Sequence, residues 1–267
     1  MESASCVNVG GDARLRALPF GRVLFNGAPC YALRDGETAI LLDRPAYDPV
    51  ASVAGSAPLA ACTVLAPVEP TKVVAVGLNY RAHAAELDMK VQAEPILFIK
   101  PSTTVIGPGE VIVRPARSTQ VDYEAELALI VGQRCRDLTP PTAARAVAGY
   151  TCGNDVTARD LQKVDGQWTR AKSFDTFCPL GPWAVRAAPP TAARVSASID
   201  GAVVQEGRVG DMIVTPLDLL VFISGVMTLL PGDVIMTGTP PGVGPLASGQ
   251  VVTISVEGVG ELSNPVG

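Results

Sequence analysis

Apolar positions along the chain recur with a period of two more often than with a helical period. Between residues 20 and 43, "FGRVLFNGAPCYALRDGETAILLD", brief apolar runs are divided by Asn-Gly and Asp-Gly pairs, the residues that supply the positive φ of tight hairpin turns. A small β unit is expected there. Residues 51–70, rich in Ala, Pro and Ser, read as a linker. From Lys72 onward the pattern predicts strands at 73–77, 96–99, 122–131, 183–186, 195–200, 202–206, 233–238 and 250–258. Three helices are expected among them, at 79–89, 139–150 and 215–227. The last has Thr215 as N-cap, Pro216 at its first position and Asp218 in its first turn. Strands outnumber helices and do not alternate with them, which argues against a doubly wound nucleotide fold and for a mixed α+β, β-dominated body. No internal repeat is visible.

Composition and charge narrow the functions. A chain of 267 residues, 48% hydrophobic and 18% charged, can bury one substantial core plus a small accessory unit. The net charge is −5, and no block of Lys and Arg interleaves with aromatics, so nucleic acid is not an expected partner. The longest apolar stretch, residues 219–230, falls short of the ~20 residues a membrane span needs. The first residues show no basic region followed by an apolar run, which makes the cytoplasm the expected location. Cysteines at 6, 30, 62, 135, 152 and 178 include no C-x-x-C pair and are expected to be free thiols rather than zinc ligands. His83 is the only histidine.

The candidate chemistry begins in "VDYEAELALIV" (121–131). In a strand, Glu124 and Glu126 share a face with Ala128 and Ile130, while Tyr123, Ala125, Leu127 and Leu129 take the other. Two like charges side by side on so apolar a strand are unfavourable unless a cation lies between them or one takes up a proton. Some 20 residues on, "GNDVTARD" sets Asp155 in a turn-like Gly-Asn-Asp after another apolar segment. Three carboxylates with no His or Cys beside them are the ligand set of a hard cation, Mg2+ or Mn2+. The commoner use of Glu-x-Glu in a strand is the wet face of an edge, paired to lysines or arginines, and spacing alone leaves both readings open.

His83 and Glu86 are three residues apart, so on a helix they share a face, and a carboxylate that orients an imidazole makes a general base. The same spacing also describes an ordinary surface pair. "DGQWTRAKSFDTFCPLGPW" (165–183) is a polar, Gly- and Pro-punctuated segment whose Arg170 and Lys172 could clamp a substrate carboxylate or stand in solvent. "MTGTPPGVGPL" (236–246) lacks the G-K-[ST] ending of a phosphate loop and reads as a tight connection after a strand, with Thr239 at most a donor into a nearby site.

In order along the chain, "KVVAVGLNYRAHAAEL", "ILFIKPSTTVIGPGE", "VDYEAELALIVG", "GYTCGNDVTARDLQ", "WTRAKSFDTFCPLGPW" and "PGDVIMTGTPPGVGPL" resemble the successive signature blocks of the fumarylacetoacetate hydrolase family. The resemblance runs from about residue 70 to the C-terminus. It implies a β-roll catalytic domain over 66–267 behind a small N-terminal β domain over 1–65, assembled as a homodimer. It implies a divalent metal, Mg2+ or Mn2+, on Glu124, Glu126 and Asp155, a His83–Glu86 dyad on a lid, Lys172 as the active-site lysine, and Gln162 as a polar residue near the substrate. One departure is Ala125, where the family pattern leads one to expect glycine between the two glutamates.

The chemistry so implied is cleavage of a C–C bond in a 2,4-diketo acid of acylpyruvate or fumarylpyruvate type. The metal would stabilise an enolate, the dyad would activate water, and Lys172 would steady negative charge. The same enolate serves isomerisation or decarboxylation of a 2-hydroxy-dienedioate or oxaloacetate, which the sequence does not separate from hydrolysis. A metal-stabilised binding protein without catalysis is the reading from another class. The presence of His83, Glu86 and Lys172 together speaks against it.

Overall fold

The architecture is that of a computed structural model describing residues 7–86 and 88–267. Cys6, and Leu87 within the predicted 79–89 helix, lie outside them. A long twisted sheet forms the frame. Its strands run in the order Val53–Pro58, Thr38–Leu42, Ala28–Asp35, Phe20–Phe25, Cys178–Val185, Val147–Asn154, Ala125–Val131, Val234–Met236, Lys72–Gly77 and Ile96–Pro101. Neighbours along this path are antiparallel except Val234–Met236 with Lys72–Gly77. The N-terminal hairpins therefore join the body by main-chain pairing, with Phe20 opposite Ala184. A second sheet of four strands, ordered Ala202–Arg208, Arg194–Ile199, Val251–Val256 and Gly260–Pro265, packs against the central strands. The fold is mixed α+β and β-dominated, as the pattern predicts.

Period-two alternation sorts the central strand between two cores. Tyr123, Ala125, Leu127 and Leu129 enter the larger cluster beside Ile254 and Leu262, and Ala128 and Ile130 enter the smaller one beside Phe20 and Leu33. A strand buried on both faces can hold acids only where its ends meet other polar groups, and that is where Glu124 and Glu126 sit.

Several local expectations need correction. The supposed linker at 51–70 contains strands Val53–Pro58 and Thr63–Leu65, the latter paired with Phe20–Phe25. The 139–150 helix is a single turn, Pro140–Ala143, followed by 3-10 and then by strand Val147–Asn154. Its alanines mimic a helical stripe, but Gly149 is there for a close strand contact: a Cβ on it would lie 2.6 Å from the Val185 carbonyl oxygen. The 165–183 segment contains the helix Thr169–Lys172 and the start of strand Cys178–Val185, and the 79–89 helix is assigned over Arg81–Glu86. Helix Pro216–Val226 begins as expected, with the Thr215 side chain accepting from the Asp218 N–H. The five described cysteines are free thiols. Among the described residues no helix is long and apolar enough to cross a membrane.

Leu129 is fully buried and Val164 is 79% exposed. Leu129→Ala should destabilise the fold by roughly 2–5 kcal/mol, whereas Val164→Ala should stay within about 0.5 kcal/mol. Urea denaturation of both variants checks the assignment of the core.

Candidate active site

Strand register brings the acids together. Ala125–Val131 runs antiparallel to Val147–Asn154 with Ala125 opposite Asn154 and Glu126 opposite Gly153. One step further Glu124 faces Asp155, and the Asp155 N–H donates to the Glu124 carbonyl at 2.9 Å. The Glu124 N–H donates to Asn154 Oδ1 at 3.0 Å, so a side-chain amide replaces a ladder bond where the strand breaks. Carboxylate oxygens of Glu124, Glu126 and Asp155 consequently lie within 4.8 Å of one another, all three residues buried at 4% exposure or less. The edge-strand reading fails, because this strand has neighbours on both sides.

Cations answer most of that charge. Lys172 Nζ donates to Glu124 Oε2 at 2.9 Å and to Asp155 Oδ2 at 2.6 Å. Lys100 Nζ donates to the other oxygen of Asp155 at 2.5 Å and to the Val156 carbonyl at 3.2 Å. Arg159 bridges Asp122 (Nε, 2.8 Å) and Glu124 Oε1 (NH2, 2.6 Å). Burial pushes the Glu124 carboxyl up, but Lys172, Arg159 and His83 outweigh it and hold the group well below its ordinary value. Burial likewise works against the Lys172 ammonium, and Asp155 and Glu124 more than restore it, raising its pKa.

Glu126 is the exception. No lysine or arginine pairs with it among the described residues, and its one hydrogen bond is from the Gly238 N–H to Oε2, at 2.7 Å. Burial, then Asp155 and Glu124, push its pKa well above the usual carboxylate range. The cluster thus buries four carboxylates (Asp122, Glu124, Glu126, Asp155) against three cations (Lys100, Arg159, Lys172). An all-oxygen donor set with one uncompensated acid fits a hard divalent cation, Mg2+ or Mn2+, on Glu124, Glu126 and Asp155. Such an ion would turn the local surplus of one negative charge into one positive charge.

His83 lies on Arg81–Glu86 and is 4% exposed. Its Nδ1 is 3.0 Å from Glu86 Oε2, and Glu86 Oε1 accepts the Gly242 N–H at 2.9 Å. A carboxylate can only accept, so neutral His83 carries its proton on Nδ1 and keeps Nε2 basic. His83, Gln162, Lys172, Thr239 and the three acids all border one cavity of about 20 Å³. Glu86 reaches it through the imidazole. Gln162 Oε1 is taken by Arg159 at 2.6 Å, which turns its amide nitrogen into the group left for a ligand.

Two expectations change. Arg170 is outside the cavity: its Nε donates to Asp165 Oδ2 at 2.7 Å, the second contact runs from NH2 to Oδ1, and the pair faces solvent. Two residues, about half a helical turn, separate it from Lys172, so the two side chains leave the helix on different sides. The Thr239 hydroxyl, although Thr239 borders the cavity, is engaged within the protein: its proton goes to the Ala125 carbonyl at 2.8 Å while its oxygen accepts from Gln205 at 2.7 Å.

Sequence reasoning passed over Asp122, Lys100 and Arg159. Alternation could have found the first two, since Asp122 shares the parity of Glu124 and Glu126, and Lys100 follows Phe98 on the inner face of an apolar strand. The role of Arg159 depends on strand Thr157–Ala158 pairing with Val121–Tyr123, a long-range fact.

Residues 72–267 match the family described as Fumarylacetoacetate (FAA) hydrolase C-terminal. The chain belongs to the fumarylacetoacetate hydrolase family. Within that family, a crystal structure of 2-hydroxyhepta-2,4-diene-1,7-dioate isomerase from Mycobacterium marinum is 42% identical, with a TM-score of 0.86 over 93% of this chain and 99% of the other. Fumarylpyruvate hydrolase from Pseudomonas aeruginosa, solved in complex with Mn2+ and pyruvate, is 32% identical, with a TM-score of 0.70 over 75% and 90% of the two chains. The mitochondrial oxaloacetate tautomerase of Homo sapiens is 39% identical over 247 residues, 88% of this chain and 78% of that one. The fold is therefore that of the fumarylacetoacetate hydrolase family, and these named relatives are enzymes.

The charge balance predicts opposite signs for two variants of the metal-free protein. Glu126→Gln removes the uncompensated acid, so thermal stability should hold or rise while affinity for Mg2+ or Mn2+ falls at least about tenfold. Lys172→Met leaves Glu124 and Asp155 without their shared cation and should cost roughly 3–5 kcal/mol. Calorimetry of unfolding and of metal binding reads both, and undiminished metal affinity in Glu126→Gln would remove the ion from this position.

Proposed function

We propose that the chain is a divalent-metal-dependent hydrolase that cleaves a C–C bond in a 2,4-diketo acid of the acylpyruvate type. The observation that carries the reading is the shared cavity: room for about one water, bordered by the buried triad, by Lys172 and by an imidazole whose orientation Glu86 fixes. Bound at Glu124, Glu126 and Asp155, the divalent ion would supply Lewis acidity to the 2-oxo group of the substrate.

The chain's own residues perform the proton and charge chemistry. His83 Nε2 takes a proton from water as the water oxygen bonds to the far carbonyl carbon, and Glu86 stabilises the imidazolium that results. The C–C bond then breaks, its electron pair is delocalised into the adjacent 2-oxo group as an enolate, and the methylene carbon takes the proton back from the His83 imidazolium to become the methyl of pyruvate. A carboxylic acid and pyruvate, or a related 2-oxo acid, leave. Lys172, held in its charged form by its two carboxylate neighbours, hydrogen-bonds negative charge as it develops. Gln162, with its amide nitrogen free, is placed to hold a substrate oxygen.

Isomerisation or tautomerisation of a 2-hydroxy-dienedioate or oxaloacetate is the second reading, and the names of the 42% and 39% identical relatives favour it. It moves a proton without consuming water, which separates it from hydrolysis by product mass.

His83→Ala should lower acylpyruvate hydrolysis by roughly 10²- to 10⁴-fold while leaving affinity for the metal within a few fold. Steady-state kinetics on acetylpyruvate and oxaloacetate at saturating Mg2+ tests this. A loss confined to oxaloacetate enolisation would transfer the dyad to the second reading, and retention of both rates would reduce His83 and Glu86 to a structural pair.

A further inference from the structure

The cavity of about 20 Å³ is too small for the substrate proposed above. Its outer wall is aromatic. Phe98 and Trp168 border it from one side and border a groove of about 770 Å³ from the other. Their rings meet edge-on, centroids 5.4 Å apart at 74°. Trp168 lies against the backbone at the end of strand Lys72–Gly77, so close that a Cβ on Gly77 would be 2.4 Å from the indole. Phe98 in turn carries the Lys172 ammonium 5.1 Å from its ring centroid.

The groove beyond this wall is lined mainly by apolar side chains, with Gln167, Thr169 and Ser173 the uncharged polar residues among them. It runs along Ile96–Pro101, the outermost strand of the long sheet, and is lined chiefly by Met89, Ile96, Leu97 and Ile99. Met89 and Ile99 remain 39% and 43% exposed, an unusual state for large apolar side chains lining a concave surface. No charged side chain lines it. One charged pair, Arg170 with Asp165, borders the adjoining depression and is satisfied within itself.

We infer that Trp168 is the gate between the two spaces, and that the groove is the subsite for an apolar acyl tail of the 2-oxo acid. The inference rests on the reading of the triad cavity as the place of the 2-oxo carboxylate. Rotation of the indole away from Gly77 joins cavity and groove without moving the backbone, whose Trp168 carbonyl is tied to the Lys172 N–H at 3.0 Å. A hydrocarbon tail there gains by leaving water, whereas a terminal carboxylate finds no counter-charge and loses its hydration. The subsite therefore selects acyl chains over dicarboxylates of the same length, and Trp168 is a specificity-determining residue.

Three acids test this in the presence of Mg2+: pyruvate, which has no tail, 2-oxooctanoate, whose tail is hydrocarbon, and 2-oxosuberate, whose tail of the same length ends in a carboxylate. The chain has two tryptophans, and the other, Trp183, is buried against Gly21 in the N-terminal sheet, so a Trp168→Phe variant isolates the gate's emission. We expect 2-oxooctanoate to bind at least about tenfold more tightly than either other acid. It should shift an emission that is absent from Trp168→Phe, while pyruvate binds without the shift. Ile99→Lys, at an exposed position in the groove, should narrow or reverse the preference by giving the carboxylate tail a partner, with pyruvate affinity unchanged. Equal binding of the two tailed acids, a shift that survives Trp168→Phe, or an unaltered preference in Ile99→Lys overturns the subsite while leaving the cavity's role intact. Emission that changes with protein concentration in the absence of any acid gives the groove to a second copy of the chain instead. Failure of all three acids to bind removes the reading of the cavity itself, and the subsite with it.

Discussion

The buried ion network around Glu124 and Asp155 is the constraint to which the rest of the site answers. Groups of like charge held this close, away from water, persist only if each finds a partner, because an unpaired buried charge costs several kcal/mol. Lys172 spans Glu124 and Asp155, Lys100 takes the far oxygen of Asp155, and Arg159 ties Glu124 to Asp122. These partners come from separate pieces of chain: an outer strand, the first residue of helix Arg159–Asp165, and the short helix Thr169–Lys172. Docking of those segments and neutralisation of the acids are therefore one event. Glu126 is left out of the arrangement, with no lysine or arginine partner among the described residues, so the cluster is not a closed salt bridge and its three acids could hold a divalent cation.

Much of this was legible because a strand's geometry is simple. Period two put Glu124 and Glu126 on one face, and spacing of apolar positions located most strands of the body, although it began Cys178–Val185 too late and missed Val147–Asn154 and Gly260–Pro265. The prediction failed where sequence identity and backbone state part company. Alanine-rich 143–148 looks helical and mostly is not, since Gly149 must pack against a neighbouring carbonyl. Arg170 and Lys172 looked interchangeable as cations, yet the two side chains leave a single helical turn in different directions, one to solvent and one to the acids. Which way a loop turns is decided by contacts far off in sequence, and no local pattern records them.

The same short helix links recognition and chemistry. Trp168 immediately precedes it and Lys172 ends it, while Phe98 touches both side chains. The aromatic wall consequently shields the ammonium from bulk water on the side away from its carboxylates. A low-dielectric wall strengthens the charge interactions it encloses, so the group that decides which tail is admitted also sets the electrostatic strength of the site behind it.

The segment from Gly238 to Gly242 is a spacer of fixed length. Its first amide holds Glu126 and its last holds Glu86, with Pro240 and Pro241 between them restricting φ at consecutive residues. Glu126 and Glu86, the acid behind the imidazole, are thus positioned by one stiff run of backbone, not by two independent loops. Their separation is written in peptide geometry that only these residue types allow, since Gly238 and Gly242 take positive φ and a Cβ on Gly238 would lie 2.7 Å from Asn79 Cβ. A single-residue insertion or deletion, which leaves every side chain of the cluster in place chemically, would put Glu86 and Glu126 out of step with each other.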